Sequence, residues 1–389
     1  MTQPVSLFSA ALTSAFDGLA ADLRQAVAPA GPRVLIVPGL PGSRIGRPPR
    51  DAIWLDPLAL RAGRFPELAY DSPGVGQLGL FEELYLRMML HLRLAGYRVD
   101  LFPYDWRRPV SEVGADLAAR LRDEGQEVHL VCHSFGALLA RAAAVAGAPN
   151  MGKVVMLGPC NQGLFAMAQA LRGSHWALHF VAAVDGTRRA FDLAAGAIST
   201  WRSIPEGLPV KLRPDDLDLF DLDQWPTEGL RPRPALLAAA AELRRSIAEP
   251  AGTLAEGRCF VIAGHGHPTV TRVERDGGAF RYHTESNGDG FVPTERAALA
   301  DHPVYYVRAA HIGLPYHLPV IEAVRDLLER GDTDRLDRTP PSMAAPPPAS
   351  SFTDADPIEP PFGGRRGGEI TSADVHALFD EVLGFVVPA

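Results

Sequence analysis

Short, mostly apolar runs alternate with longer stretches of helical periodicity, and this alternation constrains the fold more than any other feature of the chain. Val34-Leu35-Ile36-Val37 is one such run, and it ends in Pro38-Gly39. Residues 97–102, 128–132 and 153–157 follow, preceded respectively by helical stretches over 81–95, ending near Arg122, and running through Ala146. A short apolar run has no polar face to give to water, so it suits a strand buried on both sides. Strands separated by helices form βαβ units, which build a right-handed, parallel sheet. The expected class is α/β, with a mostly parallel central sheet flanked by helices.

After Leu164 the alternation stops. Residues 165–255 are Ala-rich, helical in places, broken around 205–209 and 232–234, and carry Trp176, Trp201 and Trp225. They read as a helical cap inserted over the sheet. The strand pattern resumes at 259–262. A hairpin is expected from 269–274 and 279–284 around Asp276-Gly277-Gly278. Residues 304–307 and 318–328 read as the last strand and the last core helix.

Both ends carry additions to this main domain, residues 31–332. Leu12, Phe16, Leu19, Leu23 and Val27 recur at helical spacing, so 1–30 is expected to hold an N-terminal helix. Residues 333–370 are rich in Pro, Gly and Ser and read as a flexible linker. In 371–389, Val375, Leu378, Phe379, Val382 and Leu383 form one stripe of a short amphipathic helix. A helix this short is marginal alone. It is expected to dock on its own body, a second copy or a protein partner.

The bulk numbers exclude some functions. With 38 Lys and Arg against 46 Asp and Glu, the formal charge is -8, which argues against nucleic acid as a partner. Cys132, Cys160 and Cys259 form no CxxC pair and read as small buried hydrophobes, not a disulfide framework or metal site. Asp17 and Asp22 interrupt the N-terminal stretch, which lacks a basic start, so no secretory signal is read there. No run reaches the roughly 18 apolar residues of a spanning helix. The expected location is cytoplasmic, with peripheral membrane contact open. No cofactor is implied.

Residues 128–140 are the most informative stretch. An apolar strand runs through Cys132-His133 into Ser134-Phe135-Gly136 and straight into a helix. A serine in such a turn takes a strained backbone conformation and lifts its hydroxyl from the C-terminal edge of the sheet. Serine is a poor nucleophile unless a base takes its proton. The base is expected after the last strand, which points to His311 in Ala309-Ala310-His311-Ile312-Gly313, with His317 as the competitor. The acid that orients it is expected in a late loop, which points to Asp289 in Asn287-Gly288-Asp289-Gly290, over Asp301. His133, adjacent to the nucleophile, points elsewhere and reads as structural. His265 and His267 lack a third metal ligand and read as loop residues. Two backbone N–H groups should stabilise the tetrahedral intermediate. They are assigned to Phe135 and to Leu40, in the glycine-rich loop Pro38-Gly39-Leu40-Pro41-Gly42-Ser43. That loop matches neither the P-loop nor the dinucleotide pattern.

Over residues 33–330 these pieces resemble the lecithin:cholesterol acyltransferase-like family of α/β-hydrolases. The resemblance is carried by Val37-Pro38-Gly39 with Gly42-Ser43, Trp54-Leu55-Asp56-Pro57, Gly96-Tyr97, and Pro103-Tyr104-Asp105-Trp106-Arg107. It continues through the Ser134 turn, Leu157-Gly158-Pro159 with Gly163, Gly288-Asp289-Gly290-Phe291-Val292-Pro293 and the His311 loop. It implies the α/β-hydrolase fold and attack on a glycerolipid or other apolar acyl ester, with the cap binding the acyl chain. Trp54, Trp176 and Trp201 are the expected substrate contacts. Three departures stand out: Cys132 where the family has glycine, Pro159-Cys160-Asn161-Gln162 in place of a small-residue run, and the Pro-rich tail. Asp105 and Arg107 read as a buried pair that fixes the loop beside the nucleophile. A phospholipase or lipase is the expected function. The alternatives are an acyltransferase that passes the acyl group to an alcohol, and an inactive hydrolase fold used as a binding module.

Overall fold

The computed structural model describes residues 31–248, 254, 257–339, 350–356 and 364–371. The helices expected within 1–30 and 371–389 lie outside them, apart from Thr371. The strands are β1 Arg33–Val37, β2 Ser43–Arg47, β3 Asp51–Ala52, β4 Gly76–Leu80, β5 Arg98–Leu101 and β6 Val128–His133. They continue as β7 Met151–Leu157, β8 Cys259–His265, β9 Thr269–Asp276, β10 Ala279–Glu285, β11 Val304–Arg308 and β12 Ser350–Thr353.

Six of them form a sheet in the order β11-β8-β7-β6-β1-β5. Every neighbouring pair in it is parallel. Strand alternation sends successive side chains to opposite faces. Leu35, Val37, Leu130, Cys132, Val154 and Met156 join the core on one face, with side chains from the helices Val110–Asp123, Gly136–Val145 and Pro234–Ala248. Val34, Ile36, Val131, Val155 and Leu157 pack on the other face against the helices Leu86–Leu94 and Leu318–Arg330. Both faces are covered, which is why the inner strands read as mostly apolar runs. Cys132 is simply one buried member of the first face.

The chain leaves β1 for β5 on one side, then returns to β6 on the other. The order therefore reverses between β1 and β6, and the loops leaving their carboxyl ends diverge there. Open α/β sheets bind ligands in the crevice this creates. The loop after β1 is Pro38–Ser43 and the turn after β6 is Ser134–Phe135, so the fold brings together the two segments singled out in the sequence.

Over that crevice lie the helices Ala166–Arg172, Trp176–Asp185, Ala190–Gly196 and Ser203–Glu206. Within the 165–255 span expected as cap, Pro234–Ala248 packs against both the cap helix Ser203–Glu206 and the sheet helix Gly136–Val145, and leads into β8. Arg141 Nη2 donates to Ile247 O at 2.6 Å across this contact. The helix thus bridges the cap and the sheet on the way from β7 to β8.

The described parts of 333–370 also differ from a featureless linker. Leu336 is buried in the second core cluster, and Asp337 O accepts from Tyr306 N at 2.7 Å. β12 pairs antiparallel with β10, adding a third strand to the β9–β10 hairpin. Arg172 of the cap and Asp354 form an ion pair with side chains 6% and 3% exposed. Arg172 also donates to Glu228 O and Leu230 O, and Asp354 Oδ1 accepts from Phe280 N at 3.0 Å. Further on, Ile370 is buried and its carbonyl accepts from Arg61. The tail thus straps the hairpin to the cap. Removing one charge of a buried pair leaves the other uncompensated, which costs about 3–5 kcal/mol. Asp354→Asn should lower unfolding stability by about 3 kcal/mol in urea titrations; an unchanged midpoint at equal slope would refute the strap.

Candidate functional site

Ser134 follows β6 directly and has φ of 54°, in the left-handed region that non-glycine residues rarely occupy. Its N–H donates to Leu157 O at 2.8 Å, and the helix begins two residues later at Gly136. A Cβ at Gly136 would stand 2.5 Å from Val37 O and 2.9 Å from Pro38 O. Only glycine lets this helix start so close to the end of β1.

The three side chains from distant segments meet at this turn. His311 Nε2 is 2.8 Å from Ser134 Oγ, and His311 Nδ1 is 2.7 Å from Asp289 Oδ2. Ser134, Asp289 and His311 are 6%, 2% and 6% exposed. A carboxylate only accepts, so Nδ1 carries the imidazole proton and Nε2 accepts from the serine hydroxyl. The other oxygen, Asp289 Oδ1, accepts from Phe291 N at 3.0 Å and Val292 N at 2.7 Å. His311 N donates to Asp289 O at 2.8 Å, so the two loops are also joined by backbone. Beneath them sits Gly158, φ 50°, where a Cβ would come within 2.8 Å of Asp289 Oδ2 and 3.0 Å of His311 Nδ1. An aligned Ser–His–Asp chain can pass the hydroxyl proton to the imidazole and hold the resulting imidazolium.

The loop after β1 is held from several sides. Gly42 N donates to Gly39 O at 2.8 Å, closing a turn. Tyr104 Oη donates to Pro38 O at 3.1 Å, Trp54 Nε1 to Pro41 O at 3.0 Å, and Trp106 Nε1 to Ser43 O at 2.9 Å. A Cβ on Gly39 would meet Ser134 Cβ at 2.8 Å, so the loop lies against the serine. The N–H groups of Leu40 and Phe135 donate to no backbone acceptor among the described residues, and both residues line the cavity beside Ser134.

That cavity holds about 270 Å³ and is almost wholly apolar. Trp54, Trp176 and Trp201 all line it. Trp54 and Trp201 are buried, each in ring contact with Phe65 and Trp106, while Trp176 is 41% exposed. Trp225 does not reach the cavity; it is buried against Phe280, ring centroids 5.2 Å apart. Asp105 grips Arg107 through two bonds, at 2.9 and 2.7 Å, and Arg107 is 1% exposed. Its guanidinium also donates to Ala69 O and Val75 O, so the pair staples a neighbouring loop. His317 stands at the start of the last helix, and Asp301 lies in the turn before β11.

Sequence reasoning missed Tyr85. Its hydroxyl accepts from Gly39 N at 3.2 Å and lies 3.0 Å from His133 Nδ1. The partners are 46 and 48 residues away in sequence, and no local pattern marks the link. His133 Nε2 in turn lies 3.0 Å from His311 O. Burial, reinforced by the nearby His311, pushes the His133 pKa down to about 3, so its ring is neutral.

Comparison with known proteins agrees with this architecture. No curated protein matches the chain. Among solved structures, the Tle4–Tli4 complex includes a chain 13% identical, with a TM-score of 0.56, and the match covers 78% of this chain and 100% of that one. At this identity the likeness extends to fold alone. Weaker matches are Bacillus licheniformis lipase BlEst2 in propeptide form (15% identity, TM-score 0.42, 76% of this chain and 50% of that one) and Paleococcus ferrophilus monoacylglycerol lipase (14%, 0.33, 75% and 95%). The sequence pattern of the alpha/beta hydrolase family matches residues 34–281, which include Ser134 and end before Asp289 and His311. With that match over more than half its length and a six-stranded parallel sheet of the corresponding fold, the chain belongs to the alpha/beta hydrolase family.

Proposed function

We propose that this protein is a serine hydrolase of apolar acyl esters, a lipase or carboxylesterase working through an acyl-enzyme on Ser134. The observation that carries the reading is the continuous hydrogen-bonded chain from Asp289 through His311 to Ser134 Oγ, opening into an apolar cavity. The acyl chain lies in the cavity, with its carbonyl carbon over Ser134 Oγ. The hydroxyl proton passes to His311 Nε2 as Oγ attacks. Negative charge develops on the former carbonyl oxygen, where the Leu40 and Phe135 N–H groups receive it. His311 then protonates the leaving alkoxide, which departs as the alcohol. In the second half, water gives its proton to His311 and attacks the acyl-enzyme, and Ser134 recovers its proton as the acid leaves. Asp289 keeps Nδ1 protonated throughout.

The resemblance to the lecithin:cholesterol acyltransferase-like family adds a narrower reading, in which a glycerolipid is the donor and an alcohol replaces water in the second half. The first half is the same. Trp176, partly exposed at the cavity and on a cap helix, supports contact with a lipid surface during substrate uptake. This reading also favours a peripheral, cytoplasmic-side membrane association.

A fluorophosphonate probe should label the wild type and not Ser134→Ala, and that substitution should cut ester turnover on the order of 10⁶-fold. An unlabelled wild type would instead support a binding module. Acyl-labelled ester incubated with and without a long-chain alcohol should yield free acid in both reactions; a labelled new ester in the second would establish transfer. Trp176→Ala should raise KM for long-chain esters several-fold while kcat holds, because the indole contributes binding area remote from the reacting bond. A matching loss for acetate esters would argue against an acyl-chain contact.

A further inference from the structure

A buried relay of hydrogen bonds connects the two loops that the proposed reaction must hold in register. Tyr85, His133 and His311 are 2%, 8% and 6% exposed, so these bonds are largely withdrawn from bulk solvent at the wall of the cavity. The proton positions follow from donor chemistry alone. Gly39 N can only donate, so the Tyr85 oxygen accepts there. The Tyr85 hydroxyl proton is then free to go to His133 Nδ1, 3.0 Å away. The His311 carbonyl can only accept, so His133 Nε2 carries the ring hydrogen. The relay runs in one direction, from Gly39 N–H through Tyr85 O–H and His133 Nε2–H to His311 O.

Each end touches a reacting group at one remove. Gly39 O is fixed by Gly42 N, so the peptide plane that carries the Leu40 N–H has one anchored edge. The preceding plane, which carries Gly39 N–H, is anchored by Tyr85, and its carbonyl, Pro38 O, by Tyr104. At the other end the His311 carbonyl is tied, while the His311 ring lies 5.0 Å from the His133 ring, between centroids. The His133 main chain leads straight into Ser134. The relay therefore spans the oxyanion loop, the nucleophile turn and the base loop.

We propose that Tyr85 and His133 are positioning residues that hold the Leu40 N–H and the His311 imidazole in register around Ser134, so that severing the relay lowers kcat without weakening ground-state substrate binding. The inference rests on the hydrolase reading above. A misplacement of about 1 Å at such a site costs on the order of 10²-fold in rate. Both residues border the cavity, but their polar atoms are engaged in the relay, and they act on the reaction through the groups they hold.

The test compares wild type with Tyr85→Phe, which keeps the ring and deletes the hydroxyl, and His133→Leu, which cuts the relay at its next member. Turnover of a medium-chain p-nitrophenyl ester should fall about 10–100-fold in each, with KM within twofold of wild type. The double variant should lose no more than the worse single, because one relay is broken once. Affinity for an alkylboronic acid, which adds to the serine as a tetrahedral anion, should fall by the same factor as kcat. Affinity for an n-alkanol of equal chain length should hold. Tyr85→Phe and His133→Leu both retaining wild-type kcat and boronic acid affinity would overturn the proposal. So would a parallel loss of alkanol affinity, which marks general loosening. If one variant does not fold, the other decides by the same readings; if neither folds, the residues are structural and the proposal fails. A wild type inert to ester and fluorophosphonate would instead sink the hydrolase reading beneath it.

Discussion

The tight approach of the Gly136 turn to the carbonyl end of β1 is the constraint from which the rest of the site follows. Adding one methyl group there would drive it into Val37 O. With glycine present, the helix after β6 starts beside the end of β1, and the strain of the φ 54° residue between them falls on Ser134. The parallel strand pairing on both sides of β6 holds this turn, because Cys132 is in register with Val37 on one side and Met156 on the other. Such a turn cannot relax without breaking ladder bonds of the central sheet.

Much of this was legible because it depends on local pattern. The inner strands β1, β6, β7 and β8 are buried on both faces and appear as mostly apolar runs, whereas β5 at the sheet edge carries Arg98 and Asp100. The turn at Ser134 is short and its glycine obligatory, so strand, serine and helix appear consecutively. His311 and Asp289 were found by their order relative to strands, a topological argument that needs no contact information. Their meeting within 2.7 and 2.8 Å is a property of the folded chain. The three tryptophans were expected at the substrate, and they line the same cavity.

The misses share a cause: they depend on tertiary partners. β12 is Ser-Ser-Phe-Thr inside a Pro-rich segment, too short for a period to emerge. It becomes a strand because β10 offers an open edge and the Arg172–Asp354 pair fixes its end. The helix Pro234–Ala248 has the same Ala-rich character as the cap, and its packing on both the cap and the sheet helix Gly136–Val145 is invisible in composition. Tyr85 lies inside the 81–95 stretch read simply as helical, and its role is created by groups brought to it from two strand ends. Sequence order exposes what each segment is; it does not expose which segments share a hydrogen bond.

The site also explains why its polar groups are spaced as they are. A cavity lined by apolar side chains strengthens every charge interaction inside it, favourable or not. A second charged imidazole beside His311 would oppose the imidazolium formed in the proposed reaction. Burial keeps His133 neutral, with the depressed pKa of about 3. His133 can therefore supply direction without charge: one acceptor toward Tyr85 and one donor toward the His311 carbonyl. A lysine or arginine at that position would bring the wrong field, and an alkyl side chain would bring none of the direction. The histidine next to the serine is thus suited to ordering a charge-sensitive site because it is buried too deeply to ionise.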